Sequence, residues 1–222
     1  NKIARLLGKE LHAEVRYTWW PQRRGIIRNT LKANECDVVV GLPTAVELAA
    51  TTRPYYRSTY VFVSRRERAL NVTSMDDEIL KTLRIGVHII GDDGANAPPA
   101  HALANRGIVD NVRGYTVYGD YSKPDPPARI LDAVLSGEID LAIVWGPLAG
   151  YFAKRQPVAL AIEPVSPEID LPFLPFVYDI AVAVRREDAA LLRELDEILV
   201  RRKPEIDRIL ADYGVPRLDL EM

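Results

Sequence analysis

Two adjacent tryptophans near the start of the chain are its most distinctive binding chemistry. Trp19 and Trp20 follow a predicted strand end and precede Pro21 and the cationic pair Arg23 and Arg24. Large aromatic side chains at such an end could line a ligand cleft, anchor a protein partner or pack into the core. The two guanidinium groups could pair with an acidic partner or stay solvated at a helix start. The residue types leave these alternatives open.

Three other places carry aromatic or acidic side chains. Asp92 and Asp93 lie between glycines and could ligate a hard cation, although two adjacent carboxylates supply too few oxygens alone and a solvated loop is the alternative. Trp145 ends an apolar run, so this side of a cleft is predicted to be apolar. The tryptophan side chain either contacts a ligand or fills the cleft. Tyr55 and Tyr56 begin a run rich in β-branched and aromatic residues and belong to the core or to a site.

No catalytic constellation accompanies these residues. A general acid or base would have to come from Glu47, Asp92 or Asp179, and no nucleophile is spaced with a base. The sequence has no glycine-rich phosphate loop, and its 3 histidines are isolated, without metal-ligand spacing. We therefore predict a protein that is not an enzyme and that needs no cofactor and no metal.

Composition limits the possible partners. The 222 residues are 48% hydrophobic and 27% charged, as in globular proteins. The 29 basic and 31 acidic residues nearly balance, so no electrostatic footprint for nucleic acid is present. No apolar run approaches the roughly 20 residues that cross a bilayer, and we expect no membrane span. The single cysteine, Cys36, cannot form a disulfide within the chain.

Hydrophobic periodicity predicts the elements that position these side chains. The first half predicts a helix from residue 2, a strand over 13–17, a helix over 25–33 and a strand over 37–41, which together make a β-α-β crossover in a parallel sheet. The second half predicts elements at 55–63 (strand), 83–90 (strand), 99–106 (helix), 112–118 (strand), 126–136 (helix), 139–145 (strand), 148–155 (helix), 177–185 (strand), 187–202 (helix) and 204–213 (helix). Two β-α-β blocks predict two α/β lobes.

The order of five motifs resembles the type II periplasmic solute-binding proteins, the family that includes polar amino-acid receptors. The motifs are CDVVVG at 36–41, RPYY at 53–56, LRIGV at 83–87, LSGEIDLA at 135–142 and LDEIL at 195–199. The resemblance implies an α/β fold of two lobes, each a mainly parallel sheet flanked by helices, with lobe one at 1–64 and 180–222 and lobe two at 65–179. It also implies two hinge crossings, near Ser64 and Asp179, a periplasmic location, and a first strand of lobe one that is missing from this chain.

Longer runs resemble a narrower branch, the XoxJ/MxaJ accessory proteins encoded beside quinoprotein methanol dehydrogenases. The runs are WWPQRRG at 19–25, TTRPYYRSTYVFV at 51–63, PPAR at 126–129 and AIVWGPLAGYFA at 142–153. The resemblance implies a protein that binds and assists the activation of a PQQ-dependent, lanthanide-dependent methanol dehydrogenase of the XoxF/MxaF type, whose cytochrome c is a further candidate partner. It also implies that Cys36 pairs with a cysteine outside this chain.

Amino-acid recognition is not expected, because the residues that clamp a zwitterion in the receptors are replaced. Leu48 follows Glu47 where they have an arginine, and Trp145 ends the strand that their aspartate ends. A small or peptide ligand could still fill the cleft, and the alternative function is a transport receptor for a neutral or apolar solute. The candidate cleft residues are Trp19, Trp20, Arg23, Arg24, Thr44, Tyr55, Tyr56, Asp92, Asp93, Trp145 and Asp179.

Overall fold

A computed structural model describes residues 1–20, 25–44, 46–89, 96–117 and 126–220, and the chain divides into two units. Unit 1 contains Asn1–Arg57, Tyr178–Asp212 and Arg217–Met222, and unit 2 contains Ser58–Val177 and Tyr213–Pro216. The chain leaves unit 1 after Arg57, earlier than the predicted crossing near Ser64, and returns after Val177, close to Asp179.

The described residues form both α-helices and strands. The helices are α1 Lys2–Glu10, α2 Ile26–Asn29, α3 Pro98–Asn105, α4 Arg129–Ser136, α5 Gly146–Ala153, α6 Ala189–Arg201 and α7 Lys203–Asp212. The strands are β1 Val39–Pro43, β2 Ala50–Thr51, β3 Tyr56–Arg65, β4 Ile85–Ile89, β5 Val112–Thr116, β6 Leu141–Trp145, β7 Leu160–Pro164, β8 Ile169–Asp170, β9 Leu174–Pro175 and β10 Val177–Val184. No helix in the described ranges is long and apolar enough to cross a bilayer.

Unit 2 is built on a mixed sheet in the order β5-β4-β6-β3-β7. Strand β4 runs parallel to β5 and β6, and β3 runs antiparallel to β6 and β7. The β4-α3-β5 crossover confirms the predicted second β-α-β block. Because the central strands are covered on both faces, their residues are apolar almost throughout.

Alternation along the strands of unit 2 sends neighbouring side chains into two cores. Phe62 packs with Ile85 and Leu103 on one face of the sheet, and Val61 packs with Ile130 and others on the opposite face. All five of these side chains are at most 2% exposed. These cores hold β6 and its last residue in place.

In unit 1, β10 is the partner of both β1 and β2, and both pairings are antiparallel. The predicted parallel β-α-β crossover is therefore wrong for the described residues of this unit. Residues 13–17, predicted as a strand, pair with no strand among the described residues. The Ala13 amide instead donates to the Gly8 carbonyl at 2.9 Å, closing the end of α1. An alternating pattern predicts a strand only where a partner supplies the hydrogen bonds.

Helix α1 confirms the predicted amphipathic helix. Leu6 and Leu7 are buried, and the helix contacts both α6 and α7. Near its end, the Glu10 carboxylate accepts a hydrogen bond of 2.9 Å from Arg201, which lowers the pKa of Glu10. The residues that follow α1 lead directly into the two tryptophans.

Candidate functional site

Residues 17–20, hereafter the aromatic segment, lie on the surface of unit 1. Trp19 is 75% exposed and Trp20 is 44% exposed. The rings of Tyr17 and Trp19 stack, with centroids 5.8 Å apart and planes 20° apart. The Thr18 hydroxyl donates to the Glu35 carbonyl at 2.8 Å. Core packing therefore does not account for Trp19, and the segment presents an open aromatic surface.

Tyr55 and Tyr56 differ from the tryptophans because they face inward. Tyr55 is only 7% exposed, and its ring centroid lies 5.0 Å from that of Tyr56. Burial raises the pKa of Tyr55 far above its usual range and raises the pKa of Tyr56 to about 12. Both hydroxyls are therefore protonated at neutral pH. The backbone of Tyr55 is also held, because its amide donates a 2.9 Å hydrogen bond to the Ile180 carbonyl.

The structure brings together Thr44 and Asp179, which are far apart in the sequence. The Thr44 amide donates to the Asp179 carbonyl at 2.9 Å, at the end of the β1–β10 pairing. Among the described residues, none forms a hydrogen bond with the buried Asp179 Oδ1 atom, which lies 3.8 Å from the Arg57 Nη1 atom. Arg57 is a site neighbour that sequence reasoning missed, although it directly follows the two tyrosines. An arginine–aspartate pair therefore accompanies Thr44 in unit 1.

Trp145 ends β6 and belongs to an aromatic cluster of unit 2. It is the cross-strand partner of Tyr60, and their ring centroids lie 5.4 Å apart in an edge-on arrangement. Tyr60 in turn contacts Phe176, which is fully buried, at 6.5 Å. The end of the strand therefore offers an aromatic surface. Whether Trp145 contacts a ligand stays a prediction.

Cys36 is half-buried beside the small apolar core of unit 1. Burial is the main reason that the pKa of its thiol is raised, so the reactive thiolate is disfavoured. The Cys36 carbonyl accepts a 3.0 Å hydrogen bond from Arg185. The disulfide to a cysteine outside this chain stays a prediction.

Four candidate residues, Arg23, Arg24, Asp92 and Asp93, lie outside the described residues. Within the described ranges, no group of three or more histidine, cysteine, aspartate or glutamate side chains could hold a metal ion. His88, on β4, is buried, and desolvation lowers its pKa to about 4. It is therefore neutral at physiological pH.

One exposed feature of unit 2 was missed from the sequence. Strands β8 and β9 form a short hairpin, residues 169–175, with Ile169 opposite Pro175. Leu171 is 82% exposed, Phe173 is 89% exposed and Ile169 is 56% exposed. We call this element the apolar hairpin. The sequence feature that could have predicted this hairpin is a group of large apolar residues between prolines, because turns usually carry polar residues.

Comparisons with known proteins agree with the predicted fold and family. Residues 36–215 match the family described as bacterial extracellular solute-binding protein. Protein MoxJ of Methylorubrum extorquens is 29% identical to this chain over an alignment of 230 positions. The alignment covers 98% of this chain and 75% of that protein.

Two solved structures extend this likeness. The periplasmic binding protein XoxJ from Methylobacterium extorquens AM1 is 30% identical, with a TM-score of 0.76 over 99% of this chain and 89% of that one. MxaJ from Methlophaga aminisulfidivorans has a TM-score of 0.83 at 24% identity, over 98% of this chain and 91% of that one, and so supports the fold. The predicted type II periplasmic-binding-protein fold is confirmed.

Proposed function

This chain belongs to the bacterial extracellular solute-binding proteins, in the branch that contains XoxJ and MxaJ, and we propose that it assists a dehydrogenase rather than a transporter. In the proposed role it acts in the periplasm, binds a PQQ-dependent methanol dehydrogenase of the lanthanide-dependent type, and promotes activation of that enzyme. The cytochrome c that accepts the enzyme's electrons is a second candidate partner.

The exposed aromatic segment is the observation that carries this proposal. Tryptophan and tyrosine are the side chains that most often dominate the energy of a protein interface, because each buries a large area with few rotatable bonds. Trp19, at 75% exposure, leaves most of that area in water in the isolated chain. The ring stacks on that of Tyr17, so the two rings together form an open aromatic surface.

The chemistry at the end of β6 supports the same conclusion. A receptor for a free amino acid needs a carboxylate there to pair with the ammonium group. This chain has Trp145 instead, packed edge-on against Tyr60. An aromatic pair attracts apolar groups and offers no full negative charge. Unit 2 therefore suits an apolar segment of a protein better than it suits a zwitterion.

Titration of the full-length protein against the quinoprotein dehydrogenase tests the proposal. Both apoenzyme and holoenzyme are titrated by calorimetry, and methanol oxidation is measured in parallel. We expect saturable binding to at least one form together with a gain in activity.

The variant Trp19→Ala should weaken that binding by about 10-fold or more, as interface tryptophans commonly do. Val200→Ser is the matched control, because Val200 is an apolar residue of the same unit that is 59% exposed on helix α6. If neither form of the dehydrogenase binds, the accessory role is wrong. A thermal-shift screen with neutral and apolar solutes would then test the transport role.

A further inference from the structure

We propose that the apolar hairpin of unit 2 is a docking element that inserts into an apolar pocket bordered by cationic side chains on a partner protein. The identity of that partner, the quinoprotein dehydrogenase, rests on the proposed function. The hairpin itself is identified by its exposure, its anchoring and its charge.

The exposure of the hairpin is far above that of ordinary surface apolar residues. Leu171 and Phe173 flank Pro172 in the turn and are 82% and 89% exposed, so nearly their whole side chains face water. Ile169 adds a third apolar side chain at 56% exposure. Three large apolar side chains exposed within five residues are unfavourable in an isolated soluble protein, and such exposure is typical of a site of interaction.

A buried ion pair fixes the base of the hairpin. Asp170 is 7% exposed and receives two hydrogen bonds of 2.7 Å, one from each terminal nitrogen of Arg106. Arg106 follows helix α3, and it also donates to the Ala102 carbonyl at 3.1 Å and to Asp76 at 2.9 Å. This bidentate geometry restricts the orientation of the guanidinium group. The base is therefore held by the main body of unit 2.

Backbone and core contacts reinforce this anchor. Besides the β8–β9 pairing, the Phe176 amide donates to the Glu168 carbonyl at 2.8 Å. Phe176 is fully buried, and Leu174 packs against the same core. The turn is thus exposed while its two ends are fixed. A preordered apolar turn loses little conformational entropy on binding, which favours a docking role over a disordered loop.

The shape of the hairpin favours a folded protein with a pocket. Small molecules bind in concave sites, whereas a three-residue turn is convex. A second copy of the same turn is also convex, so two such turns cannot enclose each other. A concave apolar surface on a different protein can enclose Leu171 and Phe173 together.

The charge around the hairpin predicts the rim of that pocket. Two carboxylates, on Asp76 and Asp170, pair with a single guanidinium, that of Arg106. Residues 163–175 contain no lysine, arginine or histidine. A net negative base is complementary to lysine and arginine on a partner. It opposes insertion of the turn into an anionic membrane, because such surfaces attract basic segments.

The test compares the wild-type protein with the double variant Leu171→Ser/Phe173→Ser in titrations against the dehydrogenase. Both side chains are almost fully exposed, so the melting temperature should not change. We expect the double variant to bind about 30-fold more weakly, since interface anchors typically contribute this much. The control variant Val200→Ser changes an exposed apolar residue of unit 1 and should bind like the wild type. Wild-type binding should also weaken as the salt concentration rises.

The outcomes separate the two proposals. If the wild type does not bind, the proposed function fails, and the dehydrogenase is not the partner of the hairpin. If the wild type and the double variant bind equally well, the docking role fails while the proposed function stands. Sedimentation of the wild type, but not of the double variant, with phosphatidylglycerol vesicles would instead assign the hairpin to a membrane. Self-association abolished by the double substitution would assign it to a second copy.

Discussion

The aromatic segment of unit 1 and the apolar hairpin of unit 2 expose similar chemistry on different backbones. Residues 17–20 belong to no strand or helix, and the hydroxyls of Tyr17 and Thr18 tie them to the Asn1 and Glu35 carbonyls by one hydrogen bond each. The hairpin has paired strands and a buried ion pair at its base. Both regions leave large apolar side chains in water, but only the hairpin has its base fixed by the core of its unit.

This difference in backbone anchoring shows which exposed side chains keep their positions when a partner binds, which exposure alone does not show. An exposed aromatic side chain on a loosely tied segment can rearrange when a partner arrives, so its present position says little about the bound one. An exposed side chain on an anchored turn keeps its position, and its surroundings define the partner's surface. The two regions therefore make different contributions to folding stability, which can be measured.

The largest expected effect comes from removing the anchor of the hairpin. Asp170→Asn should lower the free energy of unfolding by about 3 kcal/mol, because Arg106 keeps its charge at a largely buried position while losing its main partner. Urea unfolding followed by circular dichroism measures the change. Glu78→Gln is the matched control, since Glu78 pairs with Lys81 on the surface, and should cost less than about 0.5 kcal/mol. Equal losses in the two variants would contradict the anchor.

The pH dependence of the same anchor should be the next largest effect. Hydrogen bonds from Arg106 hold the pKa of Asp170 below its usual range in the folded protein. A depressed pKa gives stability that is complete above the unfolded pKa, near about 4, and is lost as the pH falls through the folded value. The stability difference between wild type and Asp170→Asn should therefore be constant above pH ~5 and shrink below pH ~4.

Urea unfolding at a series of pH values checks this dependence. Asp140 also has a depressed pKa, chiefly through hydrogen bonds from Arg84, but it is present in both proteins and cancels in the difference. A difference that stayed unchanged throughout the acid range would mean that Asp170 does not act through its charge.

The smallest expected effect lies in the aromatic segment. Trp19→Ala should change the free energy of unfolding by no more than about 0.5 kcal/mol, because the side chain is 75% exposed and contributes little to the core. Its effect should appear only in binding to a partner. Thermal unfolding of the variant measures this, and a large drop in melting temperature would show that the segment is part of the fold rather than a surface for recognition.

Sequence patterns predicted unit 2 well. The apolar runs that became β4 and β6, and the helices between strands, predict a β-α-β arrangement because buried parallel strands need apolar residues on both faces. The pattern at 13–17 failed because alternation predicts a strand without showing whether a partner strand is available. Strand β1 pairs antiparallel with β10, which lies more than a hundred residues away, and no local pattern encodes that direction.

Only part of the candidate site could be predicted, because local patterns do not show which distant residues come together. Trp19 and Trp145 stand out by residue type alone, but their environments differ, since Trp19 is exposed and Trp145 packs against Tyr60. Arg57 was not singled out, because its closeness to Asp179 arises only when two distant strands come together. The hairpin was not predicted, because the prolines around it predict turns without predicting what the turns expose.

The family and the fold class could be predicted from the sequence, because they depend on which residue types occur and in what order. Which apolar residues stay in water, and which carboxylates pair with arginine, could be seen only in the folded chain. Exposure and ion pairing depend on distances between residues far apart in the chain, such as Asp170 and Arg106. Those distances are set by how helices and strands pack.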